Sequence, residues 1–104
     1  MRLFHITPRD NLVSIRQEGI ALSYCRTVIQ GIWLCSAVRS TMLQSHVAVR
    51  HLCPCERLVT IPVYVPRSWL KRWAKGIWVC KRDVPLDRLG KPLFNLPTER
   101  TDLR

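Results

Sequence analysis

His46, His51, Cys53 and Cys55 form a His-x4-His-x-Cys-x-Cys run whose imidazoles and thiols are donors that suit zinc. Their spacing argues against one shared ion. Cys-Pro-Cys lacks the two-residue gap that normally lets two thiolates reach the same metal, and histidines five apart leave a common helical face. No metal is expected. A second stretch, Arg67-Ser-Trp-Leu-Lys-Arg-Trp-Ala-Lys75, interleaves tryptophans with cations. Single-strand nucleic-acid binders use this composition, stacking bases on rings while cations follow the backbone. An amphipathic turn with Trp69 or Trp73 tucked inward and its cations in water also fits. Arg67, Lys71, Arg72 and Lys75 are the candidate nucleic-acid or anion-binding set. No nucleophile-elbow sequence supports a Ser-His-Asp triad, and the four glycines form no phosphate-cradling loop. Of the carboxylates, only Glu56 and Asp83 sit near strand ends.

The charge balance gives the basic stretch weight. Seventeen Lys and Arg against seven Asp and Glu leave a formal charge of +10 on 104 residues. Such a field draws polyanions, acidic proteins or phosphate-bearing ligands. Solubility alone needs less, and either sign serves it. With 47% apolar residues the chain can build one modest core. The expectation is a single domain over 1–104, with a core over about 2–89 and an irregular, proline-rich and charged tail over 90–104. No apolar run is long enough for a membrane span, and Met-Arg-Leu-Phe-His does not open a signal peptide. A cytoplasmic location away from membranes is expected. The five cysteines are an odd number, and three lie in apolar runs, which favours buried free thiols.

The elements that must position these groups follow from periodicity. Residues 2–6 read as a short strand. Thr7 and Pro8 then suit the N-cap and first turn of a helix over 8–18, with Leu12, Val13 and Ile15 as its apolar stripe and Gly19 as its stop. Residues 31–35, Gly-Ile-Trp-Leu-Cys, read as a buried strand. Ser36 caps a second helix over 37–52, where Val38, Met42, Val49 and Leu52 repeat at helical spacing until Pro54. Residues 57–65 alternate like a strand, and Pro62 argues for an edge position or a bulge. Pro66 opens a short helical turn, and 76–80, Gly-Ile-Trp-Val-Cys, make another buried strand. The echo between 31–35 and 76–80 predicts two adjacent strands in similar surroundings. The fold class is α+β.

Taken in order, these elements resemble the ADP-ribosyltransferase superfamily over about residues 2–89. His5-Ile6-Thr7 matches that family's His-x-Thr strand, and Asn11, Ile15 and Gly19 match the Asn-x-x-x-Ile-x-x-x-Gly helix after it. Gly31-Ile32-Trp33-Leu34 is similar to the family's Gly-Ile-Tyr-Leu signature. The resemblance implies a small split β-sandwich with two main helices and NAD as cofactor. It places His5 on a ribose hydroxyl, the Ile6 backbone on the nicotinamide carboxamide beside Thr7, and the Trp33 ring on the nicotinamide face. Such a site works mainly by positioning and electrostatics, because departing nicotinamide leaves an oxocarbenium-like sugar.

The third signature departs from the pattern. Family members that modify proteins or DNA carry a Glu on the last core strand, and Ile77 stands at that position here. The run Gly76-Ile-Trp-Val-Cys, with Val84-Pro85 beyond it, is similar to the hydrophobic last motif of the tRNA 2′-phosphotransferases, over their NAD-binding half and without their RNA-gripping lobe. Those enzymes bring a phosphate to the NAD ribose with Arg and His, so no base is needed. Arg39 and Arg50, on the second predicted helix, are the candidates for that work, because the arginine fork pairs bidentately with phosphate. The expectation is an NAD-dependent transferase acting on a phosphate-bearing or polyanionic acceptor. The rival is a non-catalytic adaptor or inhibitor that binds nucleic acid or an acidic protein through its basic surface. His5 as a backbone-satisfied histidine, and Trp33 and Trp78 as core, are the plain alternatives for those residues.

Overall fold

The computed structural model describes residues 1–22, 31–36 and 57–94. Its strands are β1 (Arg2–Pro8), β2 (Ile32–Cys35), β3 (Leu58–Tyr64), β4 (Leu70–Ala74), β5 (Ile77–Cys80) and β6 (Leu93–Phe94), with one α-helix, α1 (Leu12–Glu18). Short 3-10 turns cover Arg9–Asn11, Arg67–Trp69 and Leu86–Arg88. The strands form one antiparallel sheet in the order β4-β5-β2-β1-β3-β6. The α+β expectation is met. Among the described residues no helix is long and apolar enough to cross a membrane.

The sheet is two ladders joined at one point. β1 and β3 pair along their whole length, from Arg2 opposite Tyr64 to Pro8 opposite Leu58. β2 and β5 pair from Ile32 opposite Cys80 to Cys35 opposite Ile77. Between β1 and β2 the single register pair is Phe4 with Cys35, where the Cys35 thiol donates to the Phe4 carbonyl oxygen at 3.6 Å.

Alternation sorts the side chains onto two faces. Leu3, Ile32, Leu34, Val59, Ile61, Val63 and Cys80 face α1, where Leu12 and Ile15 close the larger core with Ile20, Val65 and Val84. Phe4, Ile6, Cys35, Leu58 and Ile77 form a smaller apolar cluster on the other face, with Trp33 packed against it.

The predicted elements meet these bounds with instructive differences. β1 runs through Pro8, and Thr7 does not cap the helix: its Oγ1 accepts from Asn11 Nδ2 at 2.9 Å, and a 3-10 turn precedes α1. Val13 is exposed, because seven helical residues bury a two-residue stripe of Leu12 and Ile15. Gly19 stops the helix as expected, its N–H bonding to the Ile15 carbonyl at 2.8 Å and its φ at 79°. Pro62 pairs with Phe4 inside the β1–β3 ladder rather than marking a free edge. Its carbonyl accepts from the Gly90 N–H at 2.8 Å. A strand residue presents its N–H and C=O to the same side, so the donor that proline lacks faces away from β1. The predicted irregular tail instead contributes β6, which covers β3 at Val59 and Thr60. The stretch 67–75 is a 3-10 turn leading into edge strand β4, not an amphipathic turn throughout. The expectation for the internal echo holds, since its two copies lie side by side as β2 and β5.

The second predicted helix over 37–52, with Arg39 and Arg50, and the His46, His51, Cys53 and Cys55 run all lie outside the described residues.

Candidate functional site

Three motif-bearing strands stand next to one another in the order β5-β2-β1. Gly31 permits the close approach of β2 to β5, because a Cβ there would overlap the Val79 side chain. The only backbone register pair across the β1–β2 junction is Phe4–Cys35, and His5 and Trp33 flank it.

His5 is half-buried, and its Nδ1 lies 3.2 Å from the Trp33 carbonyl oxygen. A carbonyl oxygen only accepts, so Nδ1 is the protonated nitrogen in this contact and Nε2 is an acceptor in the neutral ring. Donation from Nε2 to a sugar hydroxyl takes the imidazolium form. Strand alternation puts His5 with Leu3 and Thr7 on the α1 face, and Trp33 with Phe4 and Ile6 on the other. The fold therefore brings His5 to the Trp33 backbone rather than to its ring. The Trp33 ring meets Trp73 edge-on, with centroids 5.5 Å apart and planes at 74°.

The other motif positions have structural duties. Thr7 is buried and takes the Asn11 amide, which ties the strand end to the helix entry. Ile15 is core, and Gly19 closes the helix. Ile6 is buried in the smaller cluster, with its backbone paired to Thr60 of β3. Ile77 sits opposite Cys35 on the Trp33 face and is only 3% exposed. It can lend apolar contact, but it neither accepts nor gives a proton.

The basic candidates Arg67, Lys71, Arg72 and Lys75 are all exposed. The guanidinium carbons of Arg67 and Arg72 lie 5.7 and 6.0 Å from the Trp78 ring centroid. Two arginines that sequence reasoning missed do the same at Trp69: Arg82 at 4.0 Å and Arg88 at 5.3 Å. Only the bond from the Lys81 N–H to the Trp69 carbonyl, which folds 81–82 back along the start of β4, brings them into view.

An apolar hollow of about 250 Å³ opens between α1 and the 86–92 segment, lined by Leu12, Ile15, Ile61, Leu86, Leu89 and Pro92 among others. Neither His5 nor Trp33 lines it.

Cys80 is fully buried beneath the sheet, its thiol donating to the Arg82 carbonyl at 3.4 Å, and burial raises its pKa above the usual thiol value. A raised folded-state value adds stability below the unfolded-state pKa and loses it as pH climbs through the folded value. A stability curve falling through the alkaline range, flattened there by Cys80→Ala, is the expected result of urea melts between pH 7 and 10. Ellman's reagent at pH 8 is expected to reach this thiol only after denaturant is added.

No protein-family model matches the chain, and no curated protein matches it either.

Proposed function

We propose that the chain is an NAD-dependent, ADP-ribosyltransferase-like enzyme whose nicotinamide-ribose end sits at the junction of β1 and β2. The observation that carries this reading is the adjacency of β5, β2 and β1, parting at the single pair Phe4–Cys35 beside His5 and Trp33. The six strands form one sheet, and this narrow junction is where a split β-sandwich would open. His5 is the residue assigned to the ribose; the Trp33 ring, on the opposite face of the sheet, does not join it there, and its backbone carbonyl orients the imidazole instead.

The buried Ile77 shapes the chemistry that remains open. Without a carboxylate at that position, the acceptor must arrive as its own nucleophile, and phosphate oxygen does so at neutral pH. The NAD glycosidic C–N bond breaks with its electron pair leaving on nicotinamide, and a C–O bond forms from the ribose carbon to the acceptor oxygen. Arg39 and Arg50, outside the described residues, are the candidates offered for the phosphate.

A second reading, a non-catalytic adaptor or inhibitor, is favoured by the cations of 67–75, which form no ion pair among the described residues. Calorimetric titration of NAD separates the two. Micromolar binding to the wild type, about −8 kcal/mol, that disappears in a folded His5→Ala variant supports the enzyme. An absence of binding at millimolar NAD, weaker than about −4 kcal/mol, overturns it.

A further inference from the structure

The strongest concentration of charge lies over 67–91, which carries eight Lys and Arg against two Asp. Within it, two tryptophans each organise two arginines. Arg82 and Arg88 lie over Trp69, and Arg67 and Arg72 over Trp78. Arg67 and Trp69 share one 3-10 turn, and Arg72 is the register partner of Trp78, so the two groups join into one array at the β4 edge of the sheet. Both rings pack against the larger core on their inner side, which fixes the positions of the cations stacked on them.

Stacking orders a guanidinium without consuming its hydrogen-bond donors, which lie in the plane of the fork. Among the described residues none of these four arginines forms an ion pair; the ion pair seen there joins Arg57 and Asp10 at 3.9 Å. Asp83, the nearest carboxylate in sequence to Arg82, accepts the Leu22 N–H at 2.7 Å. The array is therefore a row of forks that enter no ion pair among the described residues.

We infer that this Arg-on-Trp array is a docking surface for single-stranded nucleic acid, its forks taking successive phosphates. Two observations choose this occupant. Charge complementarity calls for a polyanion. Trp73 lies on the same edge strand but on the Trp33 face, across the sheet from Trp69 and Trp78; the residue is 53% exposed, so a strand that rounds this edge meets a ring on which an unpaired base can stack, where an acidic side chain gains nothing. This surface stands independently of NAD binding.

The test is fluorescence anisotropy of a labelled, mixed-sequence 12-nucleotide single strand with the whole chain, repeated from 50 to 200 mM salt. Four phosphate contacts imply a log–log salt slope of about −3 and roughly a 50-fold loss of affinity across that range. Arg82→Gln with Arg88→Gln is expected to weaken binding at least tenfold and to halve the slope. Arg16→Gln with Arg57→Gln, removing equal charge elsewhere, is expected to leave the slope unchanged. Arg82→Lys with Arg88→Lys keeps the charge but loses the stacked fork, and is expected to weaken binding several-fold. Circular dichroism establishes that each variant is folded. Equal losses from the two glutamine pairs, undiminished binding by the lysine pair, or equal competition by duplex or by polyglutamate of matched charge would each overturn the inference.

Discussion

A Gly19→Ala variant is expected to lose at least 3 kcal/mol of stability, far beyond the usual cost of one methyl group. Gly19 ends α1 with φ 79° and ψ −162°, a backbone conformation that is essentially glycine's alone. Conformational strain there is of order 1–3 kcal/mol. The new Cβ would also overlap the Val84 carbonyl oxygen and lie 2.9 Å from the Leu86 nitrogen. That carbonyl accepts the Ile20 N–H at 2.9 Å, and Val84 returns the bond to Ile20 at the same distance. The substitution therefore strains the turn and breaks the bridge that holds the 84–89 segment to the core. Urea melts of the two proteins measure the difference. A loss under 1 kcal/mol would mean that the helix end is not held against Val84.

This glycine was legible in the sequence because its requirement is local: helical spacing ends and an α-helix needs a left-handed residue. The same locality made β1, β2, β3 and β5 readable from apolar alternation and the Gly-Ile-Trp echo. What stayed hidden depends on partners distant in the chain. Val13 has the hydropathy of a core residue, yet the helix turns it about 100° from Leu12 and away from Ile15, and only those two face the sheet. Leu70–Ala74 carries mostly cations and tryptophan, and it is a strand because Ile77–Cys80 turns back to pair with it. Leu93 and Phe94 look like tail until β3 offers them Thr60 and Val59.

The site was legible to the same limit. Motif order brought His5 and Trp33 onto neighbouring strands, but not onto one face, because faces follow from the register Phe4–Cys35, which no local pattern encodes. The fold also divides the motif residues by duty. Thr7, Asn11, Ile15 and Gly19 build the strand-to-helix corner, so their presence speaks for fold. His5 and Trp33 are half-buried rather than buried, and the functional question narrows to them.

Ile77→Glu, which installs in one step the carboxylate that protein-modifying ADP-ribosyltransferases carry on their last core strand, is expected to destabilise the chain by about 4 kcal/mol or more rather than to create a general base. Ile77 is 3% exposed and packs with Phe4, Ile6, Cys35 and Leu58, whose single polar hydrogen, on the Cys35 thiol, already goes to the Phe4 carbonyl. Desolvation would lift the folded-state pKa of the new Glu above its unfolded value. Stability relative to the wild type is then best at pH values below the ordinary Glu range and falls as pH rises through the lifted value. Thermal melts at pH 5 and pH 8 test this, with a narrower gap to wild type expected at pH 5. Ile77→Gln separates charge from polarity, since its deficit is expected to be smaller than that of Glu at pH 8 and the same at both pH values. Ile77→Leu conserves volume and is expected to cost less than about 1.5 kcal/mol. A Glu variant as stable as wild type at pH 8 would mean that the position opens to water. The expected collapse would mean that this packing excludes a carboxylate at the position, and that any transfer from NAD must draw its nucleophile from the acceptor.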